Sequence, residues 1–185
     1  LVAEKWMAEA HAPVAVEGMG RPSTPLQLDA ETRVLMGVEI AVECLRVVCV
    51  TLTGVVVSHA QVPLVSNLAA RVCQQTAQVV FEQCQQLAAK KLLLSGVGVC
   101  LPGAINEEAG MVRFAPNLGW REVPFLSMIS TAFIDIGVPQ VPIHLQNDAD
   151  AAALSEYEFS TNEGEDPLIF VSCDVGVGAG IILND

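Results

Sequence analysis

The sequence predicts an α/β fold in which a mixed sheet is flanked by helices. Three valine-rich segments follow one another between residues 33 and 63, separated by turn residues, which is typical of an antiparallel meander of short strands. Beyond residue 66, helical and strand-like segments alternate, as they do when helices cover a sheet. Of the 185 residues, 52% are hydrophobic, which is enough for one or two packed domains.

The elements follow from local patterns along the chain. Residues 1–10 are expected to form a short helix, which the three prolines and two glycines of residues 11–25 end. Ser66 is expected to cap a helix that runs through Lys90, because apolar residues recur there at helical spacing. The remaining predictions are strands over 33–43, 45–54, 55–63, 91–101 and 140–145, a loop over 102–124, helices over 125–136 and after Asp148, and a final pair of strands around a glycine-rich turn.

One of these strands has a distinct pattern. Residues 91–101 lack the alternation of apolar and polar side chains, which predicts that helices cover both faces of this strand.

Charge and cysteine content exclude several classes of protein. The chain carries 9 Lys and Arg against 21 Asp and Glu, a net charge of −12, so we do not expect this part to bind nucleic acid itself. Its apolar runs fall short of the ~20 residues that cross a bilayer, and no secretory signal is evident. The six cysteines form no C-x-x-C pair, and we interpret them as reduced, buried thiols of a cytoplasmic protein.

Three polar or glycine-rich positions have structural explanations as well as functional ones. Asp148 lies at a strand-to-helix junction, where Asp is a common helix cap. Asn117 precedes Leu-Gly and could be an ordinary turn residue. Glycines alternate at Gly176, Gly178 and Gly180 without matching the dinucleotide-binding pattern, so a tight turn explains them equally well.

The order of the elements is that of the ribonuclease H-like lobe shared by actin, sugar kinases and heat-shock ATPases. Three blocks are more specific: GVGVCLPGAINEEAGMVRFAPNLGW, QNDADAAALSEYEF and VSCDVGVGAGIIL, in this order and spacing, resemble the ROK family of repressors, open reading frames and sugar kinases. The resemblance covers roughly residues 34–185. It implies an actin-like ATPase fold of two lobes with a sugar in the cleft between them, the second lobe being truncated here.

The resemblance assigns sugar-binding roles to four positions. It implies that Asn147 and Asp148 face the sugar hydroxyls, that Asp148 matches the catalytic base, that Asn117 is a further sugar-contacting amide, and that the turn at Gly103 lies against the ring. These roles make chemical sense. A carboxylate accepts hydrogen bonds from two vicinal hydroxyls, and an amide both donates and accepts.

The two turns that hold ATP phosphates in ROK kinases differ in this chain. The first usually has the sequence D-x-G-G-T and is Glu-Ile-Ala-Val-Glu at residues 39–43, and the second usually carries G-T-G and begins Asp-Val-Gly at residue 174. Because phosphate cradles need the close backbone approach that glycine permits, we expect ATP binding to be lost. Asp148 would then serve only as a sugar ligand, with no catalytic residue. The remnants of the phosphate turns are Ala41, Glu43, Asp174, Val175 and Gly176.

The beginning of the chain resembles the linker that follows the DNA-binding domain of ROK repressors. MGRPSTPLQLD is similar to the G-R-P-x-x-P-L segment after their winged helix-turn-helix, and LVAEKWMAEA and APVAVEG resemble the end of its recognition helix and the wing strands. A plain flexible leader is the alternative. The expected organisation is the end of the wing and a linker over 1–30, the N-terminal actin-like lobe over 31–145, and the start of the C-terminal lobe over 146–185.

The resulting hypothesis is the sugar-sensing domain of a ROK transcriptional regulator, a repressor without kinase activity. Its expected partners are a sugar or sugar derivative, DNA through an upstream domain, and a second copy in the full-length form, but no membrane. The alternatives are an ATP-dependent hexose kinase with degenerate phosphate turns and a domain whose vestigial cleft serves only dimerisation. Since the family's Glu-x-x-His segment and cysteine-rich zinc motif come after the glycine-rich hairpin, we interpret the chain as a fragment without a cofactor and expect a structural zinc only downstream.

Overall fold

The computed structural model describes residues 1–10, 25–159, 167–173 and 175–183. Its strands are β1 (Met7–Glu9), β2 (Leu26–Leu28), β3 (Arg33–Ile40), β4 (Cys44–Thr51), β5 (Val56–Pro63), β6 (Leu93–Leu101), β7 (Ala104–Asn106), β8 (Met111–Ala115), β9 (Trp120–Val123), β10 (Ile143–Asn147), β11 (Leu168–Cys173) and β12 (Val177–Ile182). Its helices are α1 (Ala69–Ala89), α2 (Phe125–Ile136) and α3 (Asp148–Phe159), with a 3-10 turn at Pro116–Leu118.

A five-stranded mixed sheet with the order β10-β6-β3-β4-β5 forms the centre of the fold. The strands β3, β4 and β5 form the predicted antiparallel meander, while β6 pairs parallel with β3 and β10 pairs parallel with β6. The predicted α/β fold with a mixed sheet is therefore confirmed. The carboxyl ends of β3, β6 and β10 meet at one edge of this sheet.

The core lies between one face of the sheet and the two helices α1 and α2. Alternate residues of the sheet are fully buried on this face, and so are the facing side chains of both helices. This set consists of Val34, Met36, Val38, Ile40, Leu45, Val47, Val97, Val99 and Leu101 from the sheet, and Val72, Val80, Leu87, Phe125, Ile129 and Phe133 from the helices. Replacing a buried aromatic such as Phe125 with Ala is expected to cost about 3–5 kcal/mol.

The predicted cap of α1 is wrong. The helix begins at Ala69, its N-cap is Leu68, and no side chain bonds to its first turn. The Ser66 hydroxyl instead accepts a hydrogen bond from the backbone N–H of Leu68, two residues along the chain. A local turn thus uses the side chain that sequence reasoning assigned to the helix.

The region predicted to be a loop between residues 102 and 124 contains a three-stranded antiparallel sheet of β7, β8 and β9. Its strands are short, and an ion pair between Arg113 and Glu122 joins the neighbouring strands β8 and β9. Trp120, on β9, is 5% exposed; its indole N–H donates to the Asn67 carbonyl at 2.5 Å and its ring stacks on Phe125. Trp120 is therefore a packing residue.

The hairpin of β11 and β12 packs against α3 through small residues. An ideal Cβ built on Gly180 would lie 2.6 Å from the Cβ of Ala153 and closer still to the Ala149 carbonyl oxygen. Hairpin and helix approach so closely that any side chain at Gly180 would separate them. The alternation of glycines in this hairpin thus has a packing explanation at one position.

Residues 1–10 do not form the predicted helix. They make a turn followed by β1, which pairs antiparallel with β2 as a separate two-stranded ribbon. A pairing partner that lies about 20 residues away overrides the helical spacing of the apolar residues. The segment APVAVEG, residues 12–18, which was predicted to form the wing strands, lies outside the described residues.

The prediction that helices cover both faces of β6 is wrong for the second face. Gly98 and its cross-strand neighbour His144 are exposed there, and among the described helices α3 contacts the margin of this face. Gly37 pairs with Gly98, so the middle of this face is a shallow groove of about 510 Å3. None of the predicted site residues lines this groove. Within the part of the chain that the structure describes, no helix is both long enough and apolar enough to span a membrane.

Candidate functional site

A cleft of about 490 Å3 lies between the carboxyl ends of the central strands and the β11–β12 hairpin. Every predicted site residue that the structure describes lines it, namely Gly103, Asn117, Asn147, Asp148, Ala41, Glu43, Val175 and Gly176. Asp174 lies outside the described residues. Positions spread over 136 residues of sequence, from 41 to 176, are therefore brought together in one concave site.

The sheet explains why these residues meet. Asn147 ends β10 and pairs with Leu101, which ends β6, so the segments that follow both strands leave the same edge of the sheet. The turn between β3 and β4 leaves the neighbouring strand at this edge. Ligand sites in α/β sheets form outside the carboxyl ends of the strands, because the loops diverge there.

Asn147 makes hydrogen bonds in two directions. Its Nδ2 donates to the Gly103 carbonyl oxygen at 2.9 Å, and its Oδ1 accepts from the backbone N–H groups of Ala149 and Asp150 at 2.8 and 3.1 Å. Asn147 thus caps α3, the role that sequence reasoning had weighed for Asp148. The second amide hydrogen of Asn147 is available to a ligand. The role of Asn147 in sugar binding stays a prediction.

Asp148 begins α3 and is half-buried at the cleft. Its Oδ1 is 2.9 Å from the backbone N of Ala149, the next residue in the chain. Since Asn147 caps the helix, the carboxylate of Asp148 retains acceptor capacity for hydroxyl groups in the cleft.

Gly103 holds a backbone conformation that requires glycine. Its φ is +124°, and an ideal Cβ would lie 2.8 Å from the Cβ of Ala115 and would overlap the Phe114 carbonyl oxygen. The turn after β6 therefore presses directly against β8. This close approach places the main chain of Gly103 at the floor of the cleft.

Asn117 and Gly176 face each other across the cleft. Asn117 lies in the exposed 3-10 turn between β8 and β9, and an ideal Cβ on Gly176 would be 2.9 Å from its Nδ2. The absence of a side chain at Gly176 thus lets the β11–β12 hairpin approach the turn at Asn117. The sequence had indicated both residues, but not that they are neighbours.

The turn between β3 and β4 presents side chains to the cleft. Ala41 N–H donates to the Cys44 carbonyl at 2.9 Å, and the Glu43 side chain is exposed. On the opposite wall Val175 is exposed as well. Both turns that resemble phosphate-binding hairpins therefore border the same cleft with methyl groups and a carboxylate.

Charge in the cleft is predominantly negative. Among the described residues that line it, the carboxylates of Glu39, Glu43 and Asp148 outnumber the one guanidinium, that of Arg46. Arg46 bonds to both carboxylate oxygens of Glu39, its cross-strand neighbour, at 2.8 Å. Sequence reasoning missed Arg46, although its pairing with Glu39 follows from the register of the predicted meander.

The thiol of Cys100 lies near this acidic wall. Burial raises its pKa to about 12, and the neighbouring carboxylates of Glu39 and Asp148 act in the same direction. Cys100 is therefore a neutral thiol at physiological pH. The described residues contain no group of three or more His, Cys, Asp or Glu side chains arranged to hold a metal ion.

The chain resembles both regulators and kinases. It is 26% identical to the xylose repressor of Bacillus subtilis over 166 residues, which is 90% of this chain and 41% of the repressor. The crystal structure of a ROK family transcriptional regulator, a homologue of the E. coli Mlc protein, superposes with a TM-score of 0.79 at 22% identity and covers 99% of this chain and 44% of that one. A ROK family glucokinase from Streptomyces griseus, in complex with glucose and AMPPNP, superposes with a TM-score of 0.63 at 26% identity, over 82% of this chain and 45% of that one.

These similarities define the fold as that of the actin-like ATPases. The model of the ROK family matches residues 35–185, most of the chain, and the chain therefore belongs to the ROK family. It spans about two fifths of the length of the repressors that it matches.

Proposed function

We propose that this chain is the sugar-sensing portion of a ROK-family transcriptional regulator, a repressor that does not phosphorylate its ligand. The cleft supports this proposal most directly, because it keeps groups suited to a polyol and has lost the small residues suited to a triphosphate. The residues proposed to bind the sugar are Gly103, Asn117, Asn147 and Asp148.

The extent of the similarities supports a regulator over a kinase. The superposition with the ROK transcriptional regulator takes in 99% of the chain, whereas the superposition with the glucokinase takes in 82% and the family match begins at residue 35. The difference of 17% of the chain is close to the extent of residues 1–34. We propose that this segment is the joint that links the first lobe to an upstream DNA-binding domain.

The chemistry of the cleft supports a neutral, hydroxyl-rich ligand. Asp148 has acceptor capacity left after the backbone contact to Ala149, and Asn117 offers an exposed amide that lines the same cleft. A carboxylate and an amide in one small cleft suit the recognition of hydroxyl groups, since one accepts hydrogen bonds and the other both donates and accepts. The main-chain turn at Gly103 forms the floor on which such a ring would lie.

Two of the turns that line the cleft oppose nucleotide phosphates. Glu43 and Val175 border the cleft where the family's kinases carry a hydroxyl residue, and Ala41 occupies a position of glycine. A phosphate oxygen at ~4 Å from a carboxylate, in an effective dielectric of about 20, is opposed by about 4 kcal/mol before relaxation. Arg46 offsets little of this, because Glu39 already neutralises its charge.

Calorimetry with the full-length protein tests sugar binding. We expect heat of binding with at least one member of a panel of pentoses and hexoses that includes D-xylose and D-glucose. Asp148→Asn should weaken binding by about tenfold or more, as expected when a carboxylate acceptor is lost. Asp150→Asn, an exposed carboxylate in the same helical turn, is the matched control and should bind like the wild type. If no sugar in the panel gives heat with the wild type, a purely dimerising domain replaces the proposal.

A coupled enzyme assay separates the regulator from a hexose kinase with degenerate phosphate turns. The assay contains the full-length protein, ATP, magnesium and the same sugars. We expect no sugar phosphate above the background given by the Asp148→Asn variant. Formation of sugar phosphate that depends on Asp148 would establish the kinase instead.

A further inference from the structure

Arg33 connects the β1–β2 ribbon to the central sheet. Its Nε donates to the Glu4 carbonyl oxygen at 2.8 Å, and its guanidinium carbon lies 4.1 Å from the centroid of the Trp6 ring. One nitrogen, Nη1, donates to Ser95 Oγ at 2.8 Å. The side chain of Arg33 thus contacts the turn before β1, the aromatic ring of Trp6 directly before that strand, and the strand β6.

A β-bulge places Ser95 on this guanidinium. In the pairing of β3 with β6, Val34 faces Leu94 and Leu35 faces Gly96, so Ser95 has no partner on β3. A bulge redirects the side chain of the extra residue. The Ser95 hydroxyl accepts from Arg33 and donates to the Leu93 carbonyl, and Leu93 is the residue paired with Arg33.

Hydrogen bonds also hold the short segment of chain that links β2 of the ribbon to β3. The side-chain carboxylate of Asp29 accepts hydrogen bonds from the backbone N–H groups of Glu31 and Thr32, both at 2.9 Å. The backbone N–H of Asp29 donates to the Trp6 carbonyl at 3.1 Å. The Thr32 carbonyl then accepts from Leu93 N–H at 2.8 Å. Ribbon and sheet are therefore held at two points, the braced link and the Arg33 side chain, which opposes rotation of one against the other.

The strands that carry this attachment also border the cleft. β3 runs from Arg33 to the turn at Ala41, and β6 runs from near Ser95 to the turn at Gly103. An eight-residue strand is roughly 26 Å long and is stiff within a sheet. A displacement of either turn by a ligand therefore reaches Arg33 through the length of a single strand.

We propose that Arg33, seated on the Ser95 bulge, is the joint that transmits the state of the cleft to the β1–β2 ribbon. This inference rests on the proposed function and adds the residue through which a bound sugar reaches the preceding segment. The joint requires arginine specifically. A planar guanidinium presents its edge to two acceptors and its face to an aromatic ring at once, which the point charge of lysine does not.

Amide hydrogen exchange on the full-length protein tests the attachment. The reporters are the N–H groups of Asp29 and Ala10, which donate to the carbonyls of Trp6 and Pro25. Without ligand, Arg33→Lys should speed their exchange by about tenfold and the milder Ser95→Ala by a smaller factor. Arg121→Lys is the matched control, because it removes a similar contact with an aromatic ring, that of Phe114, away from the ribbon. Unchanged exchange in Arg33→Lys overturns the inference.

The same variants test the transmission of the signal. A panel sugar that binds the wild type should alter exchange at Asp29 and Ala10, and Arg33→Lys should abolish this change while its sugar affinity stays within about twofold of the wild type. If Arg33→Lys binds the sugar and still shows the change, the joint is refuted and the proposed function stands. If no sugar binds the wild type in calorimetry, the proposed function fails and the transmission fails with it.

Discussion

The Asn147 side-chain amide donates to the Gly103 carbonyl at 2.9 Å and joins two segments that are 44 residues apart in sequence. The same side chain caps α3 through its oxygen. Asn147 therefore ties the turn after β6 to the start of the helix that carries Asp148. Asn147 thus contributes to the geometry of the cleft floor, together with the packing of Gly103 against β8.

Substitutions of Asn147 separate its two roles. Asn147→Ala removes the cap and the bond to Gly103, and we expect it to lower the free energy of unfolding by roughly 2 kcal/mol. Asn147→Asp keeps an acceptor for the cap but places a carboxylate oxygen against the Gly103 carbonyl oxygen, so we expect at least half of that loss. Urea unfolding of both variants measures the difference. No loss in Asn147→Asp would mean that the bond to Gly103 contributes nothing.

Gly103 should tolerate no side chain. Gly103→Ala is expected to cost more than about 3 kcal/mol, because it combines a positive φ with the overlap of its Cβ with β8. Gly54→Ala is the matched control: its φ is +83°, but an added Cβ has nothing within 4 Å, so only the backbone term of about 1 kcal/mol is expected. Thermal unfolding compares the two. Similar costs would show that the turn after β6 moves away from β8.

Much of the fold follows from local patterns, and the exceptions have physical causes. Valine-rich alternation and helical spacing predict the meander, α1 and α2, because one buried face imposes one period on each element. The strands β7 to β9 escape prediction since they are only three to five residues long and expose charged side chains such as Arg113 and Glu122. Strand β1 exists because of its distant partner β2, which local spacing does not reveal.

The candidate site, like the fold, could be predicted from the sequence only in part. Residue types at the junction indicate a polar site at Asn147 and Asp148, but a sequence cannot say which of two adjacent capping residues caps the helix. Asn147 takes that role because the parallel pairing with β6 brings it to Gly103. The sequence did not indicate Arg46 as a site residue, because an arginine on an exposed strand face is usual on protein surfaces. The cross-strand register places it opposite Glu39.

Thr76 offers a simple test of the core. Its Oγ1 is buried between α1 and the sheet and has no hydrogen-bond partner among the described residues. Thr76→Val removes an unsatisfied hydroxyl at nearly constant shape, so we expect the protein to gain about 1 kcal/mol of stability in urea unfolding. In the control Thr131→Val, the hydroxyl is exposed and donates to the Ser127 carbonyl, so a change within about 0.5 kcal/mol is expected. Destabilisation of Thr76→Val would show that the hydroxyl is satisfied in solution.

Stability should fall in alkaline solution because of buried thiols. Burial raises the pKa of Cys73 from its ordinary value of 9.0 to about 12. Between these two values the unfolded chain loses the proton and the folded chain keeps it, so stability is complete below about pH 9 and declines as the pH rises. Each such thiol contributes a slope of about 1.4 kcal/mol per pH unit.

Urea unfolding at pH 8 and pH 10.5 should therefore show a smaller decline for Cys73→Ala than for the wild type, although the variant starts from lower stability. Cys173→Ala, at an exposed position, should decline like the wild type. Identical declines in all three proteins would mean that Cys73 ionises in the folded state.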